Sequence, residues 1–226
     1  MTRQTVSVVI PVRDGERYLS EAIESALGQD HRPLEVIVVD DGSTDRSAEI
    51  AGAHAGIRLI RTPNRGPSAA RNTGLAAARG GVVAYLDADD ILLPDSVAGR
   101  LRVLEEEPET GVVLGRMRLR REPGTPKVAP IPRRGKDAFE GVPAAAAIVR
   151  RPVAARVPFD ESMRLGEDLD WLFRMRDAGI GIRVLDREVL VHRLHDRNLS
   201  LQGRAYAGAL TTSLGARLRE RRERGG

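Results

Sequence analysis

Four consecutive residues, Asp87-Ala88-Asp89-Asp90, carry the densest chemistry in the chain. They follow the apolar run Val82-Val83-Ala84-Tyr85-Leu86, which reads as a buried strand. Three carboxylates at a buried strand end are costly unless a positive charge sits among them. Hard divalent cations take oxygen ligands of this kind, and substrate phosphates commonly complete such sites. The cluster is therefore read as a site for a metal and a phosphorylated ligand. Its competing explanation is a strand end followed by a helix cap, with Asp90 or Asp95 as the capping residue.

Other stretches carry chemistry of the same kind. Asp40-Asp41 closes a second apolar run, Leu34 to Val39, and these carboxylates can accept from a base N–H or from ribose hydroxyls. The following Ser43-Thr44-Asp45 supplies N-cap chemistry for a helix through about Ala53, so the cap does not need Asp40 or Asp41. Arg71, in Gly66-Pro67-Ser68-Ala69-Ala70-Arg71-Asn72-Thr73-Gly74, places a guanidinium near a helix start, where it suits a diphosphate. A surface arginine is the plainer alternative. Glu167, Asp168 and Asp170 open another helix, where the dipole favours acids and where one of them can serve as a general base. Trp171 reads as core or wall. His192 and His195 follow a short strand and are candidate ligands for the proposed metal.

The elements that must position these groups alternate. Val6 to Ile10, Leu34 to Val39, Ile57 to Ile60 and Val82 to Leu86 read as strands, with helices between them and a helix opened by Pro67-Ser68 and ended by Gly80-Gly81. Continuous apolar strands joined by helices predict a mostly parallel central sheet flanked by helices. Ligands in such sheets bind outside the carboxyl ends of the strands, where the acidic clusters fall. The second half reads as a helix ending before Pro108, a strand over Val112 to Leu119, and a proline-rich loop over Glu122 to Gly135. A helix over Leu169 to Met175 follows, then short strands over Ile182 to Leu185 and Val189 to Val191.

Composition sets the limits. The chain has 226 residues, 41% of them hydrophobic, with three Phe, three Tyr and one Trp, so the core must be aliphatic. Cysteine is absent, which excludes disulfides and thiolate metal sites and fits a reducing, cytoplasmic compartment. No run suits a membrane span or a signal peptide. The net charge of +4 is carried almost wholly by scattered arginines, and so few aromatics offer no base-stacking platform, so no nucleic-acid partner is expected. The tail from Ala205 to Arg224 sets Leu210, Leu214 and Leu218 on one face of a basic helix. That helix is expected to pack on the domain or on a second subunit, with contact to the inner face of a membrane as the alternative.

Together these residues resemble the family 2 glycosyltransferases, a family with the nucleotide-diphospho-sugar transferase (GT-A) fold. The resemblance runs from about Val6 to Ser200, through Ser7 to Val12, Glu35 to Asp45, Gly66 to Gly74, Tyr85 to Pro94 and Gly166 to Arg174. It implies one domain over residues 1–204, with a nucleotide-sugar half (1–110) and an acceptor half (111–204), and the helix 205–226 outside it. It implies that Pro11 and Val12 line the nucleobase pocket, that Asp41, with Asp40, binds uracil or its equivalent, and that Arg71 contacts the nucleotide or diphosphate. It further implies that Asp89 is the main ligand for Mn²⁺ or Mg²⁺, that Asp87 lies nearer ribose or sugar, that Asp168, beside Glu167, is the base, and that His195 sits near the diphosphate. The donor implied is a UDP-sugar, the acceptor an unidentified hydroxyl, and the outcome inversion. Where the family often has Tyr-Asn after the first strand, this chain has Arg13-Asp14.

The rivals fit less well. A phospho-receiver module needs a lysine at a strand end, and both lysines, Lys127 and Lys136, fall in or near the proline-rich loop. A dehalogenase-type phosphatase closes its first strand with the motif that here follows the fourth. No Gly-x-Gly-x-x-Gly follows the first strand, as a dinucleotide-binding dehydrogenase requires. A nucleotide-sugar-binding protein without activity is the remaining alternative, opposed by the intact Asp89 and Asp168.

Overall fold

The computed structural model describes residues 4–125, 144–196 and 198. The proline-rich segment 126–143 and the tail helix expected over 205–226 lie outside the described residues. Strand β1 (Val6–Val12) is followed by α1 (Leu19–Leu27), β2 (Leu34–Asp41), α2 (Ser47–Ala53), β3 (Ile57–Thr62), α3 (Pro67–Ala77) and β4 (Val82–Tyr85). Then come β5 (Ile91–Leu92), α4 (Ser96–Glu106), β6 (Thr110–Arg121), a 3-10 turn (Ala144–Ala146), β7 (Ala147–Arg150), α5 (Arg151–Arg156), α6 (Glu167–Asp177) and β8 (Gly181–Leu194).

The eight strands form one sheet in the order β3-β2-β1-β4-β7-β6-β8-β5. The first four strands are mutually parallel, and β6 and β8 are parallel too, while β7 and β5 run against their neighbours. The chain moves outward from β1 through β2 and β3, then returns to place β4 on the other side of β1. Such a reversal opens a crevice at the carboxyl ends of the two central strands, where α/β sheets bind ligands.

The alternation of side chains along β1 and β2 makes two cores. Val6, Val8, Ile10, Val12, Val36 and Val38 pack against α1, α2 and α4 on one face. Val9, Ile37, Val39, Val83 and Tyr85 pack against α3, α5 and α6 on the other. Period two sorts the chain's residues between these faces.

Helix α3 lies close on the sheet because Gly74 lacks a side chain. A Cβ there would stand 2.2 Å from Val9 Cγ1, in the middle of β1. Gly74→Ala gains about 1 kcal/mol of helix propensity but overpacks a rigid branched neighbour at a cost of roughly 1–3 kcal/mol or more. Net destabilisation is expected in urea unfolding, with recovery in the double variant Val9→Ala/Gly74→Ala. A Gly74→Ala protein more stable than the parent would contradict this packing.

Several local expectations change. Of the polar residues after β2, only Asp45 serves the start of α2, its Oδ1 accepting the N–H of Ser47 at 2.9 Å, and Ser43 and Thr44 cap no helix. Instead Ser43 Oγ accepts the N–H of Asp14 at 3.0 Å, Asp45 Oδ2 accepts the N–H of Glu16 at 2.9 Å, and Asp14 Oδ1 accepts the N–H of Thr44 at 2.8 Å. They lace the loop after β1 to the loop after β2, and α2 begins only at Ser47. Asp14 sits in the left-handed region, at φ 51°, which a short polar side chain tolerates. Asp95 makes no side-chain cap for α4 and pairs with Arg187 instead. The two short strands expected near the end are one strand, β8, whose register against β6 shifts between Leu114 and Arg116.

Candidate functional site

The turn after β4 sits at the crevice. Leu86 N–H donates to the Val9 carbonyl at 3.0 Å, and Asp90 N–H closes back on the Asp87 carbonyl at 3.0 Å. The three carboxylates present ligand atoms within 4.8 Å of one another, yet each has its own tether.

Asp90 is fully buried and reaches β8, accepting from His192 Nδ1 at 3.0 Å and from the N–H of Arg193 at 3.1 Å. Burial pushes the Asp90 carboxyl up to about 6. Burial also works against the charge on His192, but the hydrogen bond and charge of Asp90 hold that imidazole up at about 9. Asp90 is therefore neither a helix cap nor a free ligand: it pins the far strand beneath the site.

Asp89 meets the residues beyond β8. His195 Nε2 lies 2.9 Å from Asp89 Oδ2, and Asn198 Nδ2 donates to the same oxygen at 3.3 Å. Asn198 also accepts the N–H of His195 and donates to the Arg193 carbonyl at 3.0 Å, closing the turn on itself. Burial opposes ionisation of Asp89, but the hydrogen bond from His195 and the charges of His192 and His195 draw its pKa below the usual carboxylate value.

Asp87 faces the other way, onto Arg71. That guanidinium is buried and binds Asp87 Oδ1 at 2.8 Å, Glu167 Oε1 at 3.0 Å and, in an ion pair without hydrogen-bond geometry, Asp168 Oδ1 at 3.4 Å. Its carbon also lies 5.3 Å from the ring centre of Phe159. These bonds join the β4 turn to the first turn of α6 and leave the Arg71 Nε without a hydrogen-bond partner among the described residues. Burial opposes the charge, and the three carboxylates outweigh it, holding the Arg71 pKa well above its ordinary value.

Three carboxylates around one guanidinium leave negative charge in excess. Burial, reinforced by Glu167 and Asp87 and opposed by Arg71 and the Ala144 backbone, pushes the Asp168 carboxyl up to about 7. A carboxyl poised near neutrality is what a general base requires. The same excess suits a cation. Carboxylate oxygens from Asp87 and Asp89, with the His195 imidazole beside them, match the donors that Mn²⁺ and Mg²⁺ accept.

The expected nucleobase residues divide between the two faces of the sheet. Pro11 and Asp41 share the face of α3, while Val12 and Asp40 lie on the face of α1, with Val12 buried in that core. Asp40 binds the N–H of Ser43 at 2.9 Å and the Arg61 guanidinium at 3.3 Å, which separates it from Asp41. Asp41 Oδ1 accepts from Thr62 Oγ1 at 3.2 Å and from the N–H of Arg65 at 2.9 Å, and Oδ2 accepts from the N–H of Gly66 at 2.7 Å. A carboxylate offers about four lone-pair positions, and these three bonds take all but one, on Asp41 Oδ2.

Sequence reasoning gave no role to Asn72 or Asn198 and left Asp90 to start the next turn. Asn72 had a signal in its place beside Arg71. Asp90 and Asn198 had none, because their partners are distant in the chain or lie beyond β8. Trp171 is core, as expected: it is buried, and its Nε1 donates to the Val157 carbonyl at 2.9 Å.

Comparison with known proteins gives consistent matches. The family model described as "Glycosyl transferase family 2" matches residues 7–147. An uncharacterized glycosyltransferase of Haemophilus influenzae is 38% identical over 109 residues, covering 46% of this chain and 44% of that protein. The pre-mycofactocin glycosyltransferase of Mycobacterium tuberculosis is 32% identical, covering 96% of this chain and 48% of that protein. The chain thus spans less than half the length of these curated relatives. Among solved structures, the mannosyltransferase PcManGT from Pyrobaculum calidifontis, in complex with GDP-Man and Mn²⁺, superposes with a TM-score of 0.74 at 22% identity, covering 96% of this chain and 65% of that one. TarS 1–349 of S. aureus, in complex with UDP-GlcNAc, gives a TM-score of 0.70 at 21% identity, covering 92% of this chain and 65% of that one. These two likenesses establish the GT-A fold.

Proposed function

The chain belongs to glycosyl transferase family 2, and from that membership we infer that it moves a sugar from a nucleoside-diphosphate sugar, with a UDP-sugar as the first candidate, to an acceptor hydroxyl with inversion. One observation carries this reading. Arg71 gathers Asp87 and Asp168 onto a single buried guanidinium, beside the carboxylates that can hold a cation.

In the reaction, the acceptor oxygen attacks the anomeric carbon while its proton passes to Asp168. The bond from that carbon to the diphosphate oxygen breaks, and the nucleoside diphosphate leaves on the opposite side. Asp89 and Asp87, with His195, would hold Mn²⁺ or Mg²⁺, which supplies positive charge where the leaving diphosphate gains negative charge. Pro11 and the free lone pair of Asp41 would receive the nucleobase. The solved relatives carrying GDP-Man with Mn²⁺ and UDP-GlcNAc support a donor of this class.

The sign of the pH dependence follows from the base. Asp168 must be deprotonated to act, and its carboxyl is raised to about 7. A plot of log kcat/KM should rise with unit slope below about pH 7 and level off above it. A flat profile from about pH 5 to pH 8, a range above ordinary carboxylate values, would contradict a base raised to about 7.

The broader reading is tested by a thermal-shift screen of nucleoside diphosphates and nucleotide sugars with Mn²⁺. Stabilisation by at least one of them is expected, and greater with Mn²⁺ than with a chelator. No stabilisation by any would count against the donor site. Stabilisation with no turnover across many acceptors would favour a binding protein.

A further inference from the structure

Asn72 follows Arg71 on α3 and faces the segment that leads into α6. Its Nδ2 donates to the Phe159 carbonyl at 2.9 Å, and its Oδ1 accepts the Phe159 N–H at 3.0 Å. One carboxamide thus meets both backbone polar groups of a single residue, as a neighbouring strand would. Nδ2 also donates to Glu161 Oε1 at 3.1 Å, and the other oxygen of Glu161 takes the Arg65 guanidinium at 2.5 Å. Arg164 closes the far side, donating to the Arg65 carbonyl at 2.8 Å.

Phe159, held in this way, stacks on Trp171, with ring centres 4.8 Å apart and planes 12° from parallel. Trp171 stands about one helical turn beyond Asp168 on α6. The path from Asn72 to the first turn of α6 is therefore one fixed backbone residue and one aromatic stack.

From this geometry we propose that Asn72 is a positioning residue for Asp168, fixing the Phe159 backbone and, through Trp171, the orientation of α6. The inference rests on the reading of Asp168 as the base. Arg71 does not do this work alone: it meets Asp168 in an ion pair without hydrogen-bond geometry, whereas a paired backbone adds direction. An amide suits the place because it donates twice, to the Phe159 carbonyl and to Glu161, while accepting the Phe159 N–H, and a hydroxyl has a single O–H to give. Aspartate would set a second acceptor against the Phe159 carbonyl and the Glu161 carboxylate.

The test uses Asn72→Ala, Asn72→Asp and the double variant Asn72→Asp/Glu161→Gln. For Asn72→Ala, kcat should fall roughly 10- to 100-fold, a loss typical of a small misplacement, while donor KM stays nearly unchanged. The acidic limb of the pH profile should move down. Water would relieve the burial that chiefly holds Asp168 up, while Arg71, Glu167, Asp87 and the Ala144 amide still face it. Trp171, the only tryptophan in the chain, should become more accessible to acrylamide quenching. Asn72→Asp should lose more activity than Asn72→Ala and recover part of it when Glu161→Gln removes the opposing charge.

Unchanged kcat, a loss carried by donor KM, or unchanged Trp171 quenching in both single variants would overturn the proposal. Should Asp168→Asn keep full activity, the base assignment fails by itself. The quenching of Trp171 then still decides whether Asn72 fixes this segment.

Discussion

Replacing Asp168 with Asn should lower kcat by about 10²–10⁴-fold, the range for removing a positioned general base. Asparagine keeps the size of the side chain and leaves Arg71 paired with Asp87 and Glu167, so the fold and the donor site should persist. Binding of a nucleoside diphosphate in calorimetry should change by no more than about twofold, since the lost interaction is one made in the transition state. Burial, with the charges of Glu167 and Asp87 adding to it, is what lifts the Asp168 carboxyl to about 7. The substitution also relieves that strain, so Asp168→Asn should unfold no earlier than the parent. A near-normal rate in Asp168→Asn would remove Asp168 from the mechanism.

Replacing Arg71 with Ala is expected to have the largest structural effect. It leaves the partly buried Asp87, Glu167 and Asp168 without the buried cation they share. Breaking a buried ion cluster by removing one partner costs roughly 3–5 kcal/mol, read as a shift of the urea midpoint. Part of that cost should return when Asp87→Asn is added, because one of the stranded charges then disappears. Arg71→Lys keeps the charge but loses the planar fork that reaches Asp87 and Glu167 together, so it should fall between the two. An Arg71→Ala protein within about 0.5 kcal/mol of the parent, the scale of an ordinary surface change, would show that the cluster does not hold α3, the β4 turn and α6 together.

These two residues show how far a sequence can be read. Asp168 and Arg71 were legible as candidates because each sits in a short motif at a helix start. Their joint geometry was not, since they meet across about a hundred residues of chain. The same limit explains Asp90. A third acid after a strand looks like the opening of the next turn, and only the return of β8 gives it His192 and the Arg193 amide. Asp40 and Asp41 read alike in sequence, but alternation along β2 turns one to Arg61 and the other to the Arg65-Gly66 amides.

The fold divides in the same way. Strands β1, β2 and β4 announce themselves as apolar runs that end at proline or acid. Strand β5 has two residues and β7 four, too few for a period to emerge, and the alanines before β7 fit helix as well as strand. The charged triplet Asp186-Arg187-Glu188 made β8 look broken, although the strand continues through a register shift that β6 accommodates.

The most direct test of the central claim follows the sugar itself. The parent protein would be incubated with a stabilising nucleotide sugar and Mn²⁺, and the anomeric proton of sugar released to water would be followed by proton NMR before mutarotation. The account predicts that the first sugar to appear has the anomeric configuration opposite to the donor's, and that Asp168→Asn releases almost none. First-formed sugar with the donor's own configuration, or release undiminished in Asp168→Asn, would contradict it.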